Sequence, residues 1–282
     1  MVIICMGIRL PVTNSRLLGV VTLTSFIRRE LAVGAVDGEL TETRSDFPLL
    51  SVVLPAYGEL ENLRGLIPSI RLVTQQVCRS EILVVLPTVT ESSEIREIEM
   101  LGARVIIRSP SDSFGDALRS GFLAVGSTSN YVITMDADGS HDPSRIPEMM
   151  AVSDQADVVV ASRYIRGGKT DNSFFLRTMS QALNLAFRIT LQIKCRDVST
   201  NFKRYRASDI RELEVTSRDF DVVEEILFRI KIKHGKEFVV AEVPDHFRER
   251  QFGTTKRKLG PFVISYITTL IKLRWRLRRV SR

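Results

Sequence analysis

From Leu49 onward the chain alternates short β-branched runs with longer segments whose apolar residues return at helical spacing. The runs predict strands over Leu50–Leu54, Ile82–Leu86, Arg104–Ile107, Tyr131–Met135, Asp157–Ala161 and Phe238–Val243. The segments between them predict helices over Glu61–Cys78, with Pro68 inside, Ser92–Leu101, Phe114–Val125 and Pro143–Val152. Asp142 reads as the N-cap of the last of these, with Pro143 at the first helical position. Asn172–Gln192 reads as one long amphipathic helix, and its stripe of Phe175, Met179, Leu183, Ala186 and Ile189 is expected to pack in the core. Strand and helix in this alternation make an α/β fold, a mostly parallel sheet with right-handed crossovers, flanked by helices. Ligands of such sheets lie beyond the carboxyl ends of the strands. That rim collects four loops: "PAYGE", "PTVTE", "DADGSHD" and "SRYIRGG".

Residues 1–46 read as an extension without identifiable chemistry, residues 47–258 as the α/β domain, and residues 259–282 as a basic amphipathic tail. Leu17–Ile27, behind Arg9 and Arg16, has the outline of a signal peptide, but Thr22, Thr24 and Ser25 dilute its apolar run. A chain of 282 residues, 44% of them hydrophobic, can bury the core of one large globular domain. Cys5, Cys78 and Cys195 are odd in number and far apart, which argues against a disulfide framework or a zinc site and fits a reducing compartment.

The net charge of +7 is local. Nine of the 40 Lys and Arg fall between Lys256 and Arg282, a stretch without an acid, leaving 31 basic against 33 acidic residues elsewhere. This balance argues against nucleic acid as a partner and places any attraction to polyanions at the C-terminus, toward a membrane surface or a phosphate. The best apolar run there, Phe262–Ile271, is about half the roughly 20 residues a spanning helix needs. Phe262, Tyr266, Leu270, Leu273, Leu277 and Val280 recur at helical spacing beside Trp275. Two readings are open: attachment to an anionic membrane surface, or an ordinary amphipathic helix packed on the domain or on a partner subunit.

The candidate chemistry centres on "MDADGSHDP", where Asp136, Asp138, Ser140 and Asp142 alternate just after a predicted strand. A calcium loop of the EF-hand type would need Gly at the sixth position, where His141 stands, and Glu at the twelfth, where Pro147 stands. A phosphatase of the haloacid dehalogenase type uses a similar D-x-D-G-[TS] motif with an Asp nucleophile, and Ser162 could imitate its downstream hydroxyl. That motif normally follows the first strand of its domain. The third reading is a turn that holds a divalent metal against a diphosphate, since a hard cation takes oxygen ligands and leaves positions for phosphate oxygens.

Taken in order, "SVVLPAYGELENL", "YVITMDADGSHDPSRIP", "ADVVVASRYIRGG", "DVSTNFKRY" and "EVPDHFRERQFGTTK" resemble the family 2 glycosyltransferases of GT-A fold. The resemblance is to the dolichol-phosphate or polyprenyl-phosphate mannosyltransferase branch and runs from about Leu49 to Lys258. It implies that Pro55, Tyr57 and Glu59 form the first nucleotide-binding loop and that Asp136, Asp138 and Ser140 hold Mg²⁺ or Mn²⁺. It also implies that Arg163, Arg250 and Lys256 meet the diphosphate, with Asp138 and these three as the catalytic set. Arg177, Ser180 and Asn184 match polar positions on the following helix, Asp197, Ser199 and Asn201 a later turn, and Glu225 an acidic helix position.

The activity implied is inverting transfer of mannose or another hexose from a nucleotide sugar, GDP-mannose or a UDP-sugar, to a polyprenyl phosphate. The implied setting is the cytoplasmic face of a membrane, with peripheral attachment through the tail and room for a membrane-protein partner subunit. The chain departs from the family's pattern after the second strand, where a D-D-G-S-x-D segment is replaced by Leu86-Pro87-Thr88-Val89-Thr90-Glu91. Thr88, Thr90 or Glu91 would then replace the missing carboxylates, or another donor would be used. Gly58 stands where Asn is common and Asn201 where Gly is common. A non-catalytic subunit of the same fold is the alternative these departures raise.

Overall fold

The computed structural model describes residues 47–250, 252 and 268–275. The expected N-terminal extension, Lys256 and most of the basic tail lie outside the described residues. Six predicted strands are present: β1 (Leu49–Pro55), β2 (Arg79–Leu86), β3 (Arg104–Ile107), β4 (Tyr131–Thr134), β5 (Val158–Ser162) and β8 (Val240–Pro244). Two-residue strands β6 (Lys169–Thr170) and β9 (His246–Phe247) pair as a separate parallel ribbon. A strand the apolar pattern does not mark, β7 (Lys203–Arg206), completes a seven-stranded sheet in the order β3-β2-β1-β4-β7-β5-β8. β7 runs antiparallel to β4 and β5, and every other pairing is parallel.

Alternation along the strands divides the core between the two faces of the sheet. Leu50, Val52 and Leu54 of β1 pack with Ile82, Val84 and Leu86 of β2 against Leu63, Ile67 and Ile70 of α1 (Leu60–Thr74). α2 (Ser92–Met100) and α4 (Ile146–Ala151) cover the same face, through Ile98 and through Ile146 and Met149. On the other face Val53, Leu83 and Val85 meet α3 (Phe114–Ala124), and Val158, Val160 and Tyr205 share a cluster with α5 (Phe174–Leu191), α6 (Ala207–Arg211) and α7 (Val222–His234). Residues 268–275 are helical and bring Leu270 and Leu273 to that cluster.

Most predicted helices keep their bounds to within a few residues. α1 ends at Thr74 rather than Cys78, because the chain must reach Arg79 in time to pair with Leu49 of β1. Asp142 does act as an N-cap, accepting the Ser144 N–H at 3.0 Å, but the first turn it caps, Pro143–Arg145, is a 3₁₀ turn. The expected core stripe of α5 is corrected: Phe175 and Ile189 are each 68% exposed, and the buried positions are Asn184, Phe187 and Leu191. Helical periodicity locates an apolar face without saying what covers it.

Candidate functional site

At the end of β4, Met135 and Ala137 stay in the core, which turns Asp136 and Asp138 the other way into a cavity of about 820 Å³. Gly139 has φ +74°, the left-handed region that lets the chain turn back at once. The Ser140 N–H and hydroxyl then both donate to Asp138 Oδ1, at 3.1 and 2.6 Å. Asp136 Oδ1 accepts the side-chain amide of Asn201 at 3.0 Å. Both carboxylates are thus braced by neighbours before any ligand arrives.

Behind them lies His141, buried between Phe202 and Phe247, with Nδ1 3.0 Å from Asp245 and Nε2 3.6 Å from Asp136. Burial opposes its charge, but the Asp136 and Asp245 carboxylates outweigh burial and raise its pKa to about 9. Around neutral pH it is a fixed positive charge under the acidic turn.

The first-strand loop supplies Pro55, Tyr57 and Glu59 to the cavity wall. Gly58 has φ +63°, a conformation open to Gly and more readily to Asn than to other residues, so the exchange of one for the other keeps the loop's path. Glu59 accepts from Asn62 at 2.7 Å and from Arg250 at 3.0 Å. Arg250 also lies 2.8 Å from Asp138 Oδ2, so its guanidinium bridges the first-strand loop and the acidic turn. Arg248, two residues earlier, fixes this segment by donating its backbone N–H to the Ser140 carbonyl and its side chain to Asp142.

Arg163 lines the cavity too, but its charge is spent locally. Its side chain grips Asp197 with two bonds, at 2.7 and 2.6 Å, and reaches Ser199 at 3.0 Å. Burial would raise the Asp197 carboxyl; the Arg163 charge and hydrogen bonds outweigh it and hold the pKa low. Arg163 therefore clamps the 197–201 loop as well as standing in the cavity wall. Asn184 holds the same loop by accepting the Ser199 N–H at 3.0 Å, and Ser180 lines the cavity. Arg177 is exposed over Phe174, outside the wall. Glu225 is buried and accepts from Thr216, Ser217 and Arg229 rather than facing the cavity.

Two features escaped sequence reasoning. Lys203 and Arg204 of β7 are fully buried, and Lys203 Nζ donates to the carbonyls of Val198, at 3.0 Å, and Thr200. Burial pushes the Lys203 pKa down to about 8. A cationic strand in the middle of a sheet carries no apolar signal, so only its place between β4 and β5 explains it. The second feature is an apolar wall of Phe114, Leu176, Met179, Leu183, Phe220 and Val223 in the same cavity as the acidic turn.

The donor set fits a hard divalent metal: two carboxylates and a hydroxyl, all oxygen, with a guanidinium already held as a cation on Asp138. Among the described residues no group of three or more His, Cys, Asp or Glu is gathered to hold a metal alone. A metal at this turn would therefore take further ligands from a bound phosphate and water.

Fold and site together define an α/β class with an acidic turn at the carboxyl rim of its sheet. The glycosyl transferase family 2 model matches residues 51–213, and the chain belongs to that family. It is a glycosyltransferase. It is 30% identical to an undecaprenyl-phosphate mannosyltransferase of Micrococcus luteus, over 79% of this chain and 94% of that one. It is likewise 30% identical to a dolichol-phosphate mannosyltransferase of Pyrococcus furiosus, over 79% of this chain and 63% of that one. Glucosyl-3-phosphoglycerate synthase of Mycobacterium tuberculosis, solved with Mn²⁺, UDP and phosphoglyceric acid, shares the GT-A fold with a TM-score of 0.61 at 18% identity, over 82% of this chain and 80% of that one.

Proposed function

We propose that the chain transfers a hexose, mannose first among candidates, from a nucleotide sugar to a polyprenyl phosphate, with Mg²⁺ or Mn²⁺ at Asp136 and Asp138. The observation that carries this reading is that one cavity joins the acidic turn to an apolar wall. A polyprenyl phosphate is an anion on a hydrocarbon chain, and such a cavity offers each part its own surface. The names of the Micrococcus and Pyrococcus relatives support the same acceptor and sugar.

A bound divalent ion would offset the charge gathering on the departing nucleoside diphosphate. The chain's own residues do the rest. Asp136 and Asp138 would hold the ion, Ser140 and Asn201 orient the two carboxylates, and Arg250, bridging Asp138 and Glu59, is a counter-charge placed for phosphate oxygens. Lys256 adds a further cation in this reading. The acceptor phosphate carries about −1.5 to −2 charge near neutral pH, so it attacks as it stands, and in-line attack inverts the anomeric centre.

The test is transfer of labelled sugar from GDP-, UDP- and dTDP-sugars to a polyprenyl phosphate, with Mn²⁺ or Mg²⁺. Wild type should transfer, and Asp138→Ala should lose at least about a hundredfold in rate with an unchanged melting temperature. Undiminished turnover by that variant removes the metal turn from the mechanism. No transfer to any prenyl phosphate removes the acceptor assignment.

Peripheral membrane attachment belongs to the same proposal, on revised grounds. Leu270 and Leu273, assigned from the sequence to the tail's apolar stripe, pack into the domain core, whereas Ile271 and Trp275 are exposed. Phe174, Phe175, Leu185 and Ile189 add an exposed apolar face on α5. Among the described residues no helix is long and apolar enough to cross a membrane.

A further inference from the structure

The sheet reverses its direction of winding between β1 and β4. From β1 the chain proceeds outward to β2 and β3 on one side, then crosses to β4 on the other. A ligand anchored by its phosphates at the turn after β4 lies in the crevice at that reversal and extends over the end of β1 toward the loops of β2 and β3. The wall on that side is made by Pro55, Ala56 and Tyr57 from the β1 loop and by Arg108, Asp112 and Ser113 from the loop before α3. None of residues 86–91 lines the cavity. The Thr90 hydroxyl donates to the Pro87 carbonyl, and neither Thr90 nor Glu91 reaches the cavity wall.

Arg108 is buried, and its guanidinium goes to backbone carbonyls: Ala56 of the β1 loop, Val85 of β2 at 3.4 Å and Asp112 at 3.1 Å. It ties two loops to β2 and has little left for a ligand. Tyr57, about half exposed, presents its ring 5.8 Å from that guanidinium, a flat face at the cavity edge. Asp112 is exposed, and its two oxygens accept from the Thr88 N–H at 3.2 Å and the Thr88 hydroxyl at 3.4 Å. Those contacts fix the carboxylate's direction while using only part of its acceptor capacity.

We infer that Asp112 reads the nucleobase of the donor and selects guanine, restoring from the third-strand loop the carboxylate that the second-strand loop lacks. The inference rests on the nucleotide-sugar reading above. A carboxylate presents two parallel acceptors. The Watson–Crick edge of guanine presents two adjacent N–H donors to match, whereas uracil and thymine present one N–H between two carbonyls that repel a carboxylate. Adenine and cytosine pair one donor with an acceptor nitrogen. The Tyr57 face would meet any of these bases, so preference among them falls to Asp112.

The experiment is calorimetric titration of the full chain with GDP and with UDP in Mn²⁺, for wild type, Asp112→Asn, Asp112→Ala and Asp219→Ala, another exposed carboxylate of the wall. Wild type should prefer GDP by at least about tenfold, the two Asp112 variants should lose that preference chiefly through weaker GDP binding, and Asp219→Ala should keep it. Melting temperatures separate lost recognition from lost fold, and Asn can still accept from Thr88. A GDP preference that survives in Asp112→Ala, or that disappears only in Asp219→Ala, overturns the assignment of Asp112. A wild type that favours UDP overturns it as well. A wild type that binds neither nucleotide overturns the nucleotide-sugar reading along with it.

Discussion

Asn201 stands where the resemblance expects glycine, and its amide is what restrains Asp136, at 3.0 Å. A carboxylate held by a neutral donor keeps its charge and loses its freedom, which is how residues behind a metal ligand tune affinity. Asn201→Gly should therefore raise the Mn²⁺ concentration for half-maximal transfer by about tenfold, with the melting temperature little changed. A Mn²⁺ titration at saturating donor checks this, and an unchanged midpoint would show Asp136 to be held otherwise. Glu225 makes the opposite case, since the family pattern marks it while the structure gives it to the fold. Burial opposes its charge, but the Ser217 N–H, Arg229 and Thr216 hold its pKa at about 2 against an ordinary 4.5. A carboxyl lowered in the folded state contributes stability that is complete above pH 4.5 and is lost as pH falls through about 2. Glu225→Gln should thus cost about 1–2 kcal/mol in urea unfolding at pH 7, and the gap to wild type should narrow steadily below pH 4.5. Residue identity could be read from the sequence in both cases; apart from Arg229, one helical turn from Glu225, the partners could not, because they lie 65 and 8–9 residues away in other segments.

At the scale of elements, six strands and the long helix were legible because apolar period and length agreed. β7 was not, because its Lys203, Arg204 and Arg206 oppose every rule for a central strand. They are tolerated because each finds partners: Lys203 the carbonyls of Val198 and Thr200, Arg204 those of Met149 and Val152, and Arg206 the Asp157 carboxylate. β7 thus serves as a cationic spine that fixes the loop carrying Ser199 and Asn201 into the cavity. Lys203→Met keeps the length and removes the donors, leaving two buried carbonyls without their ammonium. It should cost about 3 kcal/mol of stability and lower kcat/KM for the donor more than the fold loss alone explains. Lys203→Arg should not rescue it, since a planar fork cannot replace a compact ammonium in a fully buried site. Full activity in the methionine variant would mean that the 197–201 loop is held sufficiently by Arg163 and Asn184.

For the whole molecule, the sequence left the basic tail open between membrane contact and packing on the domain, and the described part of that tail packs on the domain. Leu273 is a core residue with Leu270 packed beside it, and Arg274 donates to the Thr190 carbonyl at 3.3 Å, which sets the segment against the C-terminal end of α5. The surface left apolar combines Ile271 and Trp275 with the outer face of α5, where Phe174, Phe175, Leu185 and Ile189 recur at helical spacing. Exposed Lys272 and Arg177 lie among them in sequence, giving the mixture of apolar and cationic groups that suits an anionic bilayer surface. Truncation near Leu259 would uncover the core at Leu273, so it is the wrong test. Phe175→Ser with Ile189→Ser in the full chain removes two side chains worth roughly 1.5–3 kcal/mol each when buried, enough to weaken partitioning by tenfold or more. Co-sedimentation with phosphatidylglycerol vesicles should fall by that measure, while transfer to a short, water-soluble prenyl phosphate stays at the wild-type rate. Equal sedimentation of the two proteins would assign the α5 face to something other than lipid. Loss of transfer to the soluble acceptor as well would instead place these residues in the acceptor path, beside Leu176, Met179 and Leu183 of the same helix.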